Sequence, residues 1–297
     1  MQSPNSTKLK YTFKSDVLFK MLFVTYPHLL KRLVAVLLSI PIESINNFQL
    51  INTEMPPEEI GKKHCKLDIH MLVDGRKINL EIQVEDEGNY PERAMFHWAR
   101  MYSSSLPSGN DYASLPKTIV ISILGFAQFP GADVHSEFAL LEVSRHEMLS
   151  DKMSFHFFEL PKMPDVDSLD TANEKDLWLA LFNANTEEEL EKLVSTGGEV
   201  MSQAVEAYRG VTATEKFRYM EILRERTMHD EAQALGNARR KGLEEGRVVE
   251  REKWQNIIAG KDAQLVDKDA QLADKDAQLA AKDARIAELD AMLDSST

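Results

Sequence analysis

The chain has one cysteine, Cys65, among 297 residues, which excludes an internal disulfide and fits a reducing compartment. Long apolar runs are also missing. The longest, Leu33-Val34-Ala35-Val36-Leu37-Leu38, is far short of the roughly 20 residues that a membrane helix needs. The segment from Met1 to Lys10 is polar, so we expect no secretory leader and a cytoplasmic location. No glycine-rich phosphate loop, zinc-ligand cluster or nucleotide fingerprint occurs. Cys65 lacks the His/Asp setting of a thiol nucleophile.

Positive charge is scarce too. The formal net charge is -13, which argues against a broad phosphate-binding surface. The deficit is uneven. Residues 1–130 hold 14 basic and 13 acidic residues, leaving 21 basic and 35 acidic beyond them. Any nucleic-acid contact in the first part must therefore be local or assisted by divalent cations.

What is present fits a soluble protein: 43% hydrophobic and 28% charged residues, with enough length for one sizeable core plus an appendage, or for two domains. Residues 16–40 show helical apolar spacing, with Ser15 as N-cap, Asp16 in the first turn and Pro27 splitting the run into two helices. Residues 91–106 read as a further helix with Ala94, Trp98, Met101 and Tyr102 inward. Thr118–Leu124 is a continuous apolar run rich in β-branched residues, as a buried strand requires. Strand-like runs follow at Phe138–Val143 and Phe155–Leu160. Helices are expected over 170–235, with a break near Gly197-Gly198.

The clearest local signal is a hairpin. Leu67, Ile69, Met71 and Val73 alternate with Lys66, Asp68 and His70; Asp74-Gly75 then supplies a two-residue turn. Ile78, Leu80, Ile82 and Val84 alternate with Lys77, Asn79, Glu81 and Gln83 on the return. With Asp74 and Gly75 as the loop, Val73 faces Arg76. Counting back puts Asp68 opposite Glu81, and Lys66 opposite Gln83. Carboxylates facing each other across strands repel. A divalent cation held by Asp68, Glu81 and the Ile82 carbonyl would compensate, and Mg²⁺ favours such oxygen ligands. The plainer alternative is a solvated face on which two acids meet by chance.

Asp68 followed by Glu81-x-Gln83 resembles the D…ExK pattern of PD-(D/E)xK nucleases. The order of motifs around it is similar to the recombination-promoting nuclease and transposase branch of that superfamily: Ser15-Asp16-Val17-Leu18-Phe19-Lys20 at the start, the D…ExQ hairpin, a helix over Arg93 to Tyr102, the segment Tyr112 to Phe126, and Phe158-Glu159-Leu160-Pro161-Lys162. The likeness spans roughly residues 10–250. It implies an α/β, restriction-endonuclease-like mixed sheet flanked by helices, followed by a helical region and a C-terminal heptad-repeat helix. The expected divisions are a nuclease core over 10–165, a helical region over 166–235, and a charged, glycine-punctuated tail over 236–297.

The resemblance further implies a Mg²⁺-dependent DNA endonuclease, a hydrolase tied to DNA recombination or a mobile element. Asp68 and Glu81 become metal ligands, and Asp16 matches an N-terminal helical acid that can lie near the metal. Gln83 stands where the superfamily has Lys, so Lys66 or Lys20 would supply the missing cation. Lys20, Arg93 and Arg100 are candidate DNA contacts. His70 shares the polar face, although a surface imidazole explains it as simply. The alternative is a catalytically inactive DNA- or protein-binding member of the same fold. A purely structural role would instead rest on the tail, where Leu265, Leu272, Leu279, Ile286 and Leu293 recur every seven residues. That stripe is half of a coiled-coil seam and suggests weak homo-oligomerisation. On this reading Lys66→Ala should cut DNA cleavage sharply without unfolding the chain, and unchanged cleavage would remove Lys66 from the chemistry.

Overall fold

In a computed structural model, the structure describes residues 7–52, 68–106, 108–170 and 173–294, with side chains to 289. Lys66, Cys65 and Leu67 lie outside the described residues. The chain divides into two units, Met1–Met228 and His229–Thr297.

The first unit opens with α1 (Asp16–Thr25) and α2 (Pro27–Leu37). The Ser15 side chain accepts the Leu18 N–H, which starts α1, and Pro27 occupies the first turn of α2. Strands β1 (Phe48–Leu50), β2 (Ile69–Val73) and β3 (Arg76–Gln83) precede α3 (Tyr90–Ser103). Then come β4 (Thr118–Leu124), β5 (His135–Phe138) and β6 (Met153–Glu159). These strands form one mixed sheet in the order β1-β2-β3-β4-β6-β5. β3, β4 and β6 run parallel, and the remaining pairs are antiparallel. Helices α4 (Glu174–Asn183), α5 (Glu187–Thr196), α6 (Gly198–Thr212) and α7 (Glu215–Asp294) complete the chain.

Alternation divides the sheet into two buried faces. Ile69, Met71, Ile78, Leu80, Ile119, Ile121, Ile123 and Phe158 join the large core shared with α1, α2 and α4 to α6. The other face carries Val120, Leu124, Phe155 and Phe157 in a smaller core closed by Tyr90 and Ala94 of α3. Trp98 of α3 donates to the Thr118 carbonyl at 3.0 Å. β4 is buried along its whole length, as its uninterrupted apolar run implies. After β4, Gly125 donates to the Gln83 carbonyl at 2.8 Å. A Cβ there would come within 3.1 Å of the Val84 backbone, so glycine permits β3 and the post-β4 turn to close.

Two expectations shift. The strand expected over Phe138–Val143 is instead β5, His135–Phe138. Past Phe138 the apolar residues find no cover: Leu140, Leu141 and Val143 are exposed. The chain there turns about Glu142, whose carboxylate accepts the Ser144 N–H at 3.0 Å. Nor do the glycines after 235 interrupt the helix, because α7 runs through Gly236, Gly242 and Gly246. Their neighbours are good helix formers, which offset the cost of about 1 kcal/mol per glycine. Among the described residues no helix is long and apolar enough to cross a membrane.

Two histidines meet at the sheet edge. His135 Nε2 and His156 Nδ1 are 3.1 Å apart, and Ser154 Oγ is 2.9 Å from His156 Nε2. Burial pushes the His156 pKa down to about 4, opposed by Glu137 and reinforced by His135, Lys117 and Lys175. Burial also lowers the pKa of His135. The folded chain thus refuses a proton that the unfolded chain accepts near pH 6.5. This contribution is complete above that pH and is lost as pH falls toward about 4. Urea titrations should show stability dropping by roughly 1–3 kcal/mol over this interval, with a flatter profile for His156→Gln; identical profiles would show that the pair carries no such linkage.

Candidate functional site

The β2–β3 turn sets the site. Asp74 (φ 47°) and Gly75 (φ 77°) both adopt left-handed backbone, as a two-residue primed turn demands. Val73 then pairs with Arg76, and the register runs back to Ile69 opposite Leu80. One further step puts Asp68, the residue before β2, across from Glu81. Asn52 holds this end of the ladder: it donates to the Asp68 carbonyl at 2.8 Å and accepts the His70 N–H at 2.7 Å.

The face bearing these acids is not solvated. Asp68 is 9% exposed, Glu81 3% and Asn79 1%, and Tyr90 and Ala94 of α3 pack over the neighbouring β4 and β6 on this side of the sheet. Tyr90, at the start of α3, donates its phenolic O–H to Glu81 Oε1. Burial, then the Glu81 charge and hydrogen bond, raises the Tyr90 pKa well above its usual value. The phenol therefore stays protonated and remains a donor. Ser122 of β4 stands beside Glu81 in the parallel register and near the same phenol. Arg93 lies over the Tyr90 ring, 5.6 Å from its centroid, and pairs with Glu87 at 3.5 Å. Its Nε is buried without a hydrogen-bond partner among the described residues.

His70, across from Asn79, has its pKa lowered mainly by burial, then by the charge of Lys20, against an opposing pull from Glu81. Lys20, His70 and Glu81 thus share one electrostatic neighbourhood. Lys20 is 3% exposed, so the expectation that it touches DNA from the surface is corrected: α1 carries it inside, where its charge acts on His70. Gln83, at the end of β3, donates to the Glu85 carbonyl at 2.9 Å.

Asp16 does not join this group. Its carboxylate accepts Arg224 Nε at 2.7 Å, and Arg224 also donates to Glu221 at 2.9 Å. Glu221 in turn accepts from Ser15 at 2.8 Å. Asp16 therefore ties α1 to the first turns of α7. Among the described residues, no three of His, Cys, Asp and Glu form a metal-holding cluster. Of the three ligands expected from sequence, Asp68 and Glu81 share the hairpin face, and carboxylate oxygens are the donors that a hard cation favours. Arg100 is exposed in the last turn of α3, two helical turns beyond Arg93.

Asn52, Ser122 and the Tyr90–Glu81 bond had no clear signal in the sequence. The nearest cue was a tyrosine opening the helix that follows the hairpin. Tyr90→Phe removes a donor to a buried carboxylate and should cost about 1–3 kcal/mol in urea unfolding; an unchanged midpoint would mean that the bond contributes nothing to the fold.

No curated protein and no solved structure gives a significant match to the chain. The family described as PD-(D/E)XK nuclease family transposase matches residues 13–238. Its match spans the whole sheet, the acid pair on the hairpin, and the docked start of α7, and the chain belongs to this family of PD-(D/E)XK nuclease transposases.

Proposed function

We infer that the chain hydrolyses phosphodiester bonds in DNA, with Mg²⁺ held by Asp68 and Glu81, as an endonuclease serving recombination or a mobile element. The observation that carries this reading is the pairing of two buried carboxylates across a register-fixed hairpin. Buried like charges raise each other's energy, and their donor chemistry, two carboxylates on one face, fits a cation that completes its shell with water. Asp68 and Glu81 would hold Mg²⁺, and the ion would activate water and offset charge on the phosphate.

The chain's own residues have distinct tasks in this reading. Tyr90 holds Glu81 Oε1 in one orientation. Asn52 fixes the backbone on both sides of Ile69, and so aims Asp68. Lys20 takes the role that the superfamily gives to the lysine of its motif. Gln83 carries no charge, whereas the Lys20 ammonium acts on His70, as the Glu81 carboxylate does. Preorganised positive charge there lowers the energy of a phosphorane-like transition state without reorganisation. Arg100 contacts a phosphate from the exposed end of α3, and Arg93 supports Tyr90.

Plasmid nicking by the purified chain tests this. We expect Mg²⁺-dependent cleavage that EDTA stops, and a loss on the order of 10²-fold or more in Asp68→Ala and Lys20→Met. Metal-dependent cleavage that survives Asp68→Ala would reject the site. Absence of cleavage together with retained DNA binding would favour the inactive binding member of the fold.

A further inference from the structure

From His229 to Leu289, every residue of α7 except Gly236 is exposed. A helix of this length with nothing packed on it among the described residues has only its propensity for support, and most helical stability in proteins comes from burying one face. One face is equipped for burial. Ile258, Leu265, Leu272, Leu279 and Ile286 recur at sevens and are each 55–58% exposed.

The residues flanking that stripe are ordered by charge. At about 100° per residue, Lys268, Lys275 and Lys282, three after a leucine, lie about 60° to one side. Asp269, Asp276 and Asp283, four after, lie about 40° to the other. Neither row forms an ion pair among the described residues. The remaining acids of the repeat are engaged within the helix: Gln271 donates to Asp267 at 2.8 Å, and Gln278 to Asp274 at 2.9 Å. Those pairs lie on the side away from the leucines. The rows left unpaired are the two that border the apolar stripe.

We propose that the C-terminal repeat is a parallel, in-register homodimer seam whose partner is a second copy of this chain. The argument is symmetry. A two-fold axis parallel to two helices brings the lysine row of each against the aspartate row of the other on both sides of the leucines. An antiparallel pair would set lysine against lysine and aspartate against aspartate. Leucine layers alone occupy the seam centre, and the lysine stems cover the gaps between them while their ammonium groups reach the partner's carboxylates. Orientation is thus specified by charge, and the dimer weakens as salt screens the ladder. Both copies of the first unit join such a seam at the same end.

Sedimentation equilibrium of the full chain should give twice the 33.7 kDa chain mass at low salt, with the dimer fraction falling as salt rises. Leu272→Lys with Leu279→Lys should return the mass to 33.7 kDa, as should Asp269→Lys with Asp276→Lys and Asp283→Lys. Orientation is read in a Cys65→Ser background. Ile258→Cys alone should oxidise to a covalent dimer. A chain that stays monomeric at every salt concentration overturns the seam. Cross-linking of Ile258→Cys only when mixed with Ile286→Cys overturns the parallel arrangement. Neither readout depends on cleavage, so both stand apart from the nuclease reading.

Discussion

The register of one hairpin governs the site. Asp74 and Gly75 adopt left-handed backbone, and that turn leaves β2 and β3 a single pairing. A slip of one residue would move Asp68 and Glu81 to opposite faces and turn either Ile69 and Met71 or Ile78 and Leu80, all fully buried, out of the large core. The hydrophobic demand of the large core therefore locks two carboxylates together on the other face. Sheet stability and placement of the acids follow from the same constraint.

That constraint creates an electrostatic problem which the neighbouring elements answer. Glu81 is nearly inaccessible, and a buried carboxylate needs donors and opposite charge. Tyr90 supplies a donor that stays protonated, while the buried Lys20 lends positive charge beside His70. The glutamine in the third motif position is then less of a defect. In the proposed mechanism, the charge that other superfamily members carry on β3 comes from α1. The cost is that α1 must be positioned well, which the Ser15–Glu221 and Asp16–Arg224 links to α7 achieve.

Some of this was legible from residue order and some was not. Periodicity identified β2, β3 and their faces, and the turn dipeptide gave the register, because both signals are local. The Ser15 cap and the Pro27 break were local as well. Asp16 was misassigned for the opposite reason: its partner Arg224 lies 208 residues away, and no local pattern distinguishes an acid facing a metal from one facing an arginine. Lys20 looked like a surface cation because lysine usually is one. The strand expected at Phe138–Val143 failed because an apolar run becomes a buried strand only where another layer covers it.

By itself the sequence determined the hairpin, its register, the acids it pairs and the heptad stripe of α7, since each depends on alternation or spacing between near neighbours. Tertiary structure decided that the acid-bearing face is covered rather than wet, that Tyr90 meets Glu81 while Lys20 is buried and acts on His70, and that Asp16 belongs to a helix-docking network. Those outcomes depend on which distant elements pack together. Packing is chosen by the sum of buried area and satisfied polar groups over the whole chain, a quantity that no short segment encodes.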